Sequence, residues 1–220
     1  MLIREARWLG EQLQALDPRE VYPLLNIGSS THAFRTERQP WIDRHLFARA
    51  RAAGHKVTHV DLKHADGVDV VADLEGRGAG EMLAREGCRG VLCTNMLEHV
   101  RDIDATCATL WSIVPPGGTL ILSGPHRYPR HDDPIDNGFR PTPDELAIRF
   151  PDAQVIAGSV IKDHTFLRYM TLSFGRFFDE FPRLFTPFRN FPKWKESMRR
   201  WGYLHRRFAA TGLVLRKRGP

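Results

Sequence analysis

The loop "HRYPRHDDPIDNGFRP" (residues 126–141) sets His126 and His131 beside Asp132, Asp133, Asp136 and Arg140. Imidazoles change charge near neutral pH, so both histidines are candidate bases, and Asp133 or Asp136 could hold a neutral ring in one orientation. Arg140 offers a planar fork suited to a carboxylate or a phosphate. Two histidines and three aspartates this close could instead ligate a divalent metal, or simply staple the loop through ion pairs. Their spacing matches no metal motif, so no metal is expected. A third histidine, His99, follows Glu98 where a helix is expected to open, either as a contact to a reacting group or as a helix-start residue.

A second group of residues stands where apolar runs stop. "LLNIGSSTH" ends its run at Gly28, Ser29 and Ser30; "KVTHVDL" closes on Asp61, "VDVVADL" on Asp73 and Leu74, and "GVLCTNML" on Asn95 and Met96. Small residues at a strand end let backbone approach a ligand closely. No Gly-Lys-Ser/Thr and no GxGxxG occurs, which excludes a P-loop and disfavours a dinucleotide.

The elements that would position these residues alternate. An amphipathic helix "REARWLGEQLQAL" precedes a buried strand over 21–27, and a helix "WIDRHLFARARAAG" follows Pro40. Then come the strands "KVTHVDL" and "VDVVADL", the helix "GEMLAREG", the strand "GVLCTNML", the helix "RDIDATCATLWSIV" and the strand "TLILSGP". Thr142 should cap the helix "TPDELAIRF", and "AQVIAGSVI" and "FAATGLVLRKR" read as the last strands. Such alternation predicts an α/β domain with a doubly wound, mostly parallel sheet, whose ligand lies outside the strand carboxyl ends. Gly28, Asp61, Asp73, Asn95 and Pro125 should therefore converge on one rim. Residues 165–207 interrupt the pattern and predict an inserted helical cap within a single domain spanning 1–220.

Composition bounds the partners. The chain has 220 residues and a net charge of +6, yet from residue 176 onward twelve Lys/Arg face only Asp179, Glu180 and Glu196. With eight phenylalanines from Phe174 to Phe208, this segment predicts a substrate lid or a homodimer contact, with peripheral membrane association second. No RNA-binding motif accompanies it, and no nucleic acid is expected. Cys88, Cys93 and Cys107 lack metal spacing, so neither zinc nor a disulfide is expected. With no long apolar run, the expected location is cytoplasmic.

In order and spacing, "LLNIGSST", "VTHVDL", "VVADL", "VLCTNMLEHVRD" and "PPGGTLILSGP" resemble the class I S-adenosylmethionine (SAM) dependent methyltransferases, in the type 11-like branch with "LEH" after the fourth strand. The likeness covers about residues 20–150 and implies a seven-stranded Rossmann-like fold with SAM as cofactor. The family's acid-x-G-x-G-x-G falls on Asn26, Gly28, Ser30 and His32. Gly28 matches; Asn26 replaces the acid, and Ser30 and His32 replace glycines. The resemblance implies that Asn26, Gly28, Ser29 and Ser30 border the methionine half of SAM and that Asp61 takes the ribose hydroxyls. It further places Asp73 and Leu74 at the adenine, and Asn95 and Met96 beside the sulfonium. Methyl transfer to oxygen or nitrogen needs alignment and a base, so His99, His126 and His131 are the catalytic candidates. Asp133, Asp136 and Arg140 are then contacts to a small-molecule, saccharide or lipid-linked acceptor. The rival readings are a noncatalytic binding protein whose glycine motif has decayed and, more weakly, an NAD oxidoreductase.

Overall fold

A computed structural model describes residues 1–131, 135–171 and 191–219. Asp132, Asp133 and the middle of the predicted cap, 172–190, lie outside the described residues. Seven strands form one sheet: β1 (Leu24–Ile27), β2 (Val57–Asp61), β3 (Val70–Val71), β4 (Gly90–Thr94), β5 (Thr119–Arg127), β6 (Ala153–Thr165) and β7 (Arg207–Lys217). Their order is β3-β2-β1-β4-β5-β7-β6, and only β7 runs against its neighbours, antiparallel to both β5 and β6. The doubly wound, mostly parallel seven-stranded sheet is therefore present.

Both faces are covered, which explains the continuous apolar runs. Leu24, Leu92 and Ile121 face a core shared with Leu9, Leu13 and Leu46, while Leu25, Val91 and Leu122 face Leu83, Leu110 and Phe150. The three cysteines lie free within the core, and burial pushes the Cys107 thiol up to about 12. Among the described residues no helix is long and apolar enough to cross a membrane.

Helix α1 (Ile3–Ala15) docks by its first turn. The Leu2 N–H donates to the Glu5 carboxylate, Ile3 N–H to the Tyr169 hydroxyl and Arg4 N–H to the buried Asp163 carboxylate. Amides that a helix N-terminus leaves unpaired are thus satisfied partly from β6 and the helix after it.

Boundaries differ from expectation where side chains compete with the backbone pattern. The first strand starts at Leu24 rather than residue 21, because Asp17 caps a short helix Pro18–Val21 and Pro23 has no N–H to give a ladder. The helical path begins before "WIDRHLF". Phe34–Arg38 forms a π-helical turn, a second follows at Asp43–Phe47, and an α-helix continues over Ala48–Ala52. "LEH" forms an isolated 3-10 turn, Leu97–His99, and the next helix begins only at Ile103, capped by the Asp102 carboxylate on the Ala105 N–H. Glu98 and His99 are thereby held on a turn over the rim. Between β6 and β7 the described residues include helices Phe166–Thr171 and Phe191–Trp201.

Candidate active site

The parallel register brings the ends of β1, β2 and β4 to one rim: Ile27 pairs with Val60 on one side and Cys93 on the other. The chain leaves β1 through Gly28 at φ 71°, and a Cβ there would lie 3.3 Å from the Met96 side chain. Met96 lies against the glycine. Ser30 also takes a positive φ, and its N–H donates to Asp61 Oδ2 at 2.7 Å.

Arg35, unremarked in the sequence, closes the first loop from behind. Its guanidinium is buried and donates to the carbonyls of Ser29, Ser30 and Gly67 at 2.9, 2.6 and 2.8 Å. The loop after β1 is thereby bonded to the loop after β2. Burial lowers the pKa of this guanidinium, partly countered by Asp69 and Asp43.

The Asn26 side chain pairs with a residue of the neighbouring strand. Its side-chain amide lies 3.0 Å from His59 Nδ1, and only a neutral imidazole can accept there. Burial first, and then the charge of Arg35, hold the His59 imidazole at about 4 instead of 6.5. An unfolded His59 titrates normally, so the unfolded chain binds more protons between these values, and stability is complete above pH 6.5 and falls as pH drops towards 4. The loss is at most about 3 kcal/mol. Thermal melts across this range should show a shallower decline in His59→Gln than in wild type; equal slopes would remove His59 as the cause.

Asn95 leaves β4 at φ 50°, and its amide donates to the Glu5 carboxylate at 2.7 Å. The same Glu5 oxygen accepts the Ser123 hydroxyl at 2.6 Å. A fully buried carboxylate on the N-terminal helix therefore holds the β4 and β5 ends together, which nothing in the local sequence marks. Leu74 is buried, and Asp73 Oδ1 accepts the Glu75 N–H at 3.0 Å.

Beyond β5 the structure gathers a second group. Asp136 accepts the backbone N–H of His131 and Gly138, and Arg140 grips both of its oxygens at 3.1 and 2.6 Å. Burial opposes ionisation of Asp136, but Arg140 and these N–H donors outweigh it and hold the carboxyl at about 2. Arg140 is committed to this pair. Asp136 Oδ2 stands 3.3 Å from His131 Nδ1, the place of an orienting partner. Burial lowers the His131 pKa, with His99 adding to the effect. The His99 and His131 rings meet edge to face at 5.1 Å, whereas His126 stands apart with Nδ1 on the Pro141 carbonyl at 3.1 Å.

Glu98, treated above only as a helix-start residue, completes the group. It is 1% exposed, and neither carboxylate oxygen has a hydrogen-bond partner among the described residues. Burial pushes its carboxyl up to about 7. A cavity of about 10 Å³ adjoins it between Gly124, Phe139 and Thr211, room for about one water and too little for an acceptor molecule. The pairing of Glu98 with His99 in "LEH" was the available signal.

The rim residues fit a nucleoside sulfonium. Asp61 uses one acceptor position on each oxygen, for the Ser30 and Lys63 N–H groups, and a carboxylate has about four. It is only partly buried, so two hydroxyls could still donate to it. At the other end Met96, packed against the core with its sulfur 3.9 Å from Cys93 Sγ, lies beside Gly28.

No family model and no curated protein sequence matches the chain. Solved structures do. Coclaurine N-methyltransferase bound to N-methylheliamine and S-adenosylhomocysteine is similar with a TM-score of 0.61 at 14% identity, over 98% of this chain and 70% of that one. A putative sarcosine dimethylglycine methyltransferase from Galdieria sulphuraria gives 0.55 at 10% identity, over 98% and 86%. The [4+2]-cyclase SpnF gives 0.54 at 13% identity, over 99% and 81%. At such identities likeness speaks for architecture, and with the strand order β3-β2-β1-β4-β5-β7-β6 it establishes that this chain has the Rossmann-like fold of the class I methyltransferases.

Proposed function

We propose that the chain is a SAM-dependent methyltransferase that methylates oxygen or nitrogen of a small-molecule acceptor, including a saccharide or lipid-linked one. The observation that carries this reading is Asp61, a strand-end carboxylate with acceptor positions to spare, facing a β1 loop that Arg35 holds in place. SAM when bound supplies a methyl group on a positively charged sulfur. Asp61 would hold the ribose hydroxyls, Asp73 and Leu74 the adenine, and the backbone of Gly28, Ser29 and Ser30 the amino acid half beside Asn95 and Met96. His99 and His131, whose rings meet, would take the proton that must leave a hydroxyl or amine, with Asp136 3.3 Å from His131 Nδ1 as the orienting group. Arg140 acts through Asp136 rather than on an acceptor.

Residues 165–207 are proposed as the lid. Phe166, Met170 and Phe208 form a small core with Tyr128 and Trp201, and Tyr128 touches the His131 ring at 5.5 Å. The basic character of this segment supports an anionic group on the acceptor, and a dimer or membrane contact is the second role for it.

Isothermal titration with SAM and with S-adenosylhomocysteine tests the cofactor. Both should bind. Asp61→Asn keeps an acceptor for the Ser30 N–H but presents a donor to a ribose hydroxyl, so affinity should fall at least about tenfold, roughly 1.4 kcal/mol. A folded wild type that binds neither nucleoside would favour the noncatalytic binding protein.

A further inference from the structure

We infer that Glu98, His99 and His131 form a site for one divalent transition-metal cation of the zinc, iron(II) or cobalt(II) class. One ligand atom from each residue can be chosen so that all lie within 4.8 Å of one another, and the donor set is two imidazoles and one carboxylate. This is the set that zinc and non-haem iron sites use when they leave positions open for water or a substrate oxygen. Imidazole nitrogen disfavours magnesium and calcium, which take oxygen ligands.

Three observations carry the inference beyond proximity. First, Glu98 is a buried carboxylate with both oxygens unpartnered among the described residues, an arrangement that is costly unless something binds it. Second, the His99 tautomer is set. The Ile135 carbonyl 2.5 Å from Nδ1 can only accept, so Nδ1 carries a proton and Nε2 is the nitrogen that faces Glu98 Oε1, 3.8 Å away. Metal-bound histidines are commonly fixed through their second nitrogen in this way. Third, the scaffold is tied together independently of the three side chains. Asn137 donates from Nδ2 to the Leu97 and Val100 carbonyls and from its N–H to the Glu98 carbonyl, while Asp136 holds the backbone of His131. The "LEH" turn and the segment after β5 are thereby held against each other.

Ligands about 2.1 Å from a tetrahedral cation stand about 3.4 Å apart, so closure needs shifts of about an ångström, within reach of side-chain rotation. An imidazole that ligates a cation cannot also accept a proton. A cation bound here would take the place of a histidine base by lowering the pKa of an acceptor oxygen that it holds.

The test uses the full chain, stripped with chelator and titrated with Co²⁺ alone, followed by visible absorption and by metal analysis after Zn²⁺ loading. Stoichiometric binding is expected, weakened at least about tenfold in His99→Gln, in His131→Gln and in Glu98→Gln, but unchanged in His126→Gln. Circular dichroism and melting temperature confirm that each variant is folded. X-ray absorption on the Zn²⁺-loaded wild type gives a readout that needs no variant, and imidazole scattering from two histidines is expected. A folded wild type that binds neither cation, binding that survives in the His99 and His131 variants, or a spectrum without imidazole ligation would overturn the site. No nucleoside is present, so failure here and failure of the methyltransferase reading are separate results.

Discussion

Arg35→Ala is expected to lower the stability of the protein by about 3–5 kcal/mol, the range for removing one partner of a buried charged network. The guanidinium is 4% exposed and gives three hydrogen bonds to main-chain carbonyls of two loops. Its removal leaves those carbonyls without their donors and opens a void against Gly67, where a Cβ would already stand 2.9 Å from Arg35 Nη2. For a chain of this size the melting temperature should fall by roughly 10 °C. Arg35→Lys should recover only part of the loss, because an ammonium cannot span carbonyls on both sides with a fixed fork. S-adenosylhomocysteine affinity should fall as well, since the Ser30 N–H and Asp61 would no longer be set by a braced loop. Equilibrium denaturation decides the matter: a loss under about 1 kcal/mol would mean that the two loops hold each other without Arg35.

Glu5→Ala should cost about 3–4 kcal/mol for a related reason. Glu5 is fully buried and accepts from Asn95, Ser123 and the Leu2 N–H. Alanine would strand three donors, one of them the buried Ser123 hydroxyl, and leave space between the N-terminal helix and the β4 and β5 ends. Asn95 sits at φ 50°, a left-handed conformation that needs such outside support. Glu5→Gln is the informative companion. Its carbonyl can still serve Asn95 and Ser123, but its NH₂ would face the Leu2 N–H, so about half the loss is expected. Chemical denaturation of both variants measures the difference: equal losses would argue that the bonds to Asn95 and Ser123 contribute nothing, and no loss in Glu5→Gln would argue the same of the bond to Leu2.

The legible parts of this chain were those that repeat or stop. Apolar runs such as "GVLCT" and "LVL" are buried on both sheet faces, and their spacing predicted the strand sequence that the sheet realises. Strand ends closing on Gly28, Asp61, Asp73 and Asn95 were visible because small or polar residues interrupt those runs, and parallel register alone suffices to bring the ends of β1, β2 and β4 together. Composition likewise separated the basic, aromatic segment between β6 and β7.

What the pattern did not disclose is what each polar side chain pairs with. Asn26 stands at the family's acidic position, and only the fold shows that its partner is the neutral ring of His59, 33 positions away. Arg35 and Glu5 carry no local mark, since a lone charge in a helical stretch is ordinarily a solvated residue. They are buried because Ser29, Ser30 and Gly67, and Asn95 and Ser123, converge on them from distant points of the chain. Among the three histidines the loop spacing put His126 and His131 together, yet the fold pairs His131 with His99 and sends His126 to the Pro141 carbonyl. The sequence by itself determined the strand-and-helix order and which strand ends could meet a ligand, because burial periodicity and strand termination are local properties. Only the tertiary structure decided which charges are buried, braced or left unpaired, because that depends on partners far apart in the chain, such as Ser123 and Glu5, 118 positions from each other.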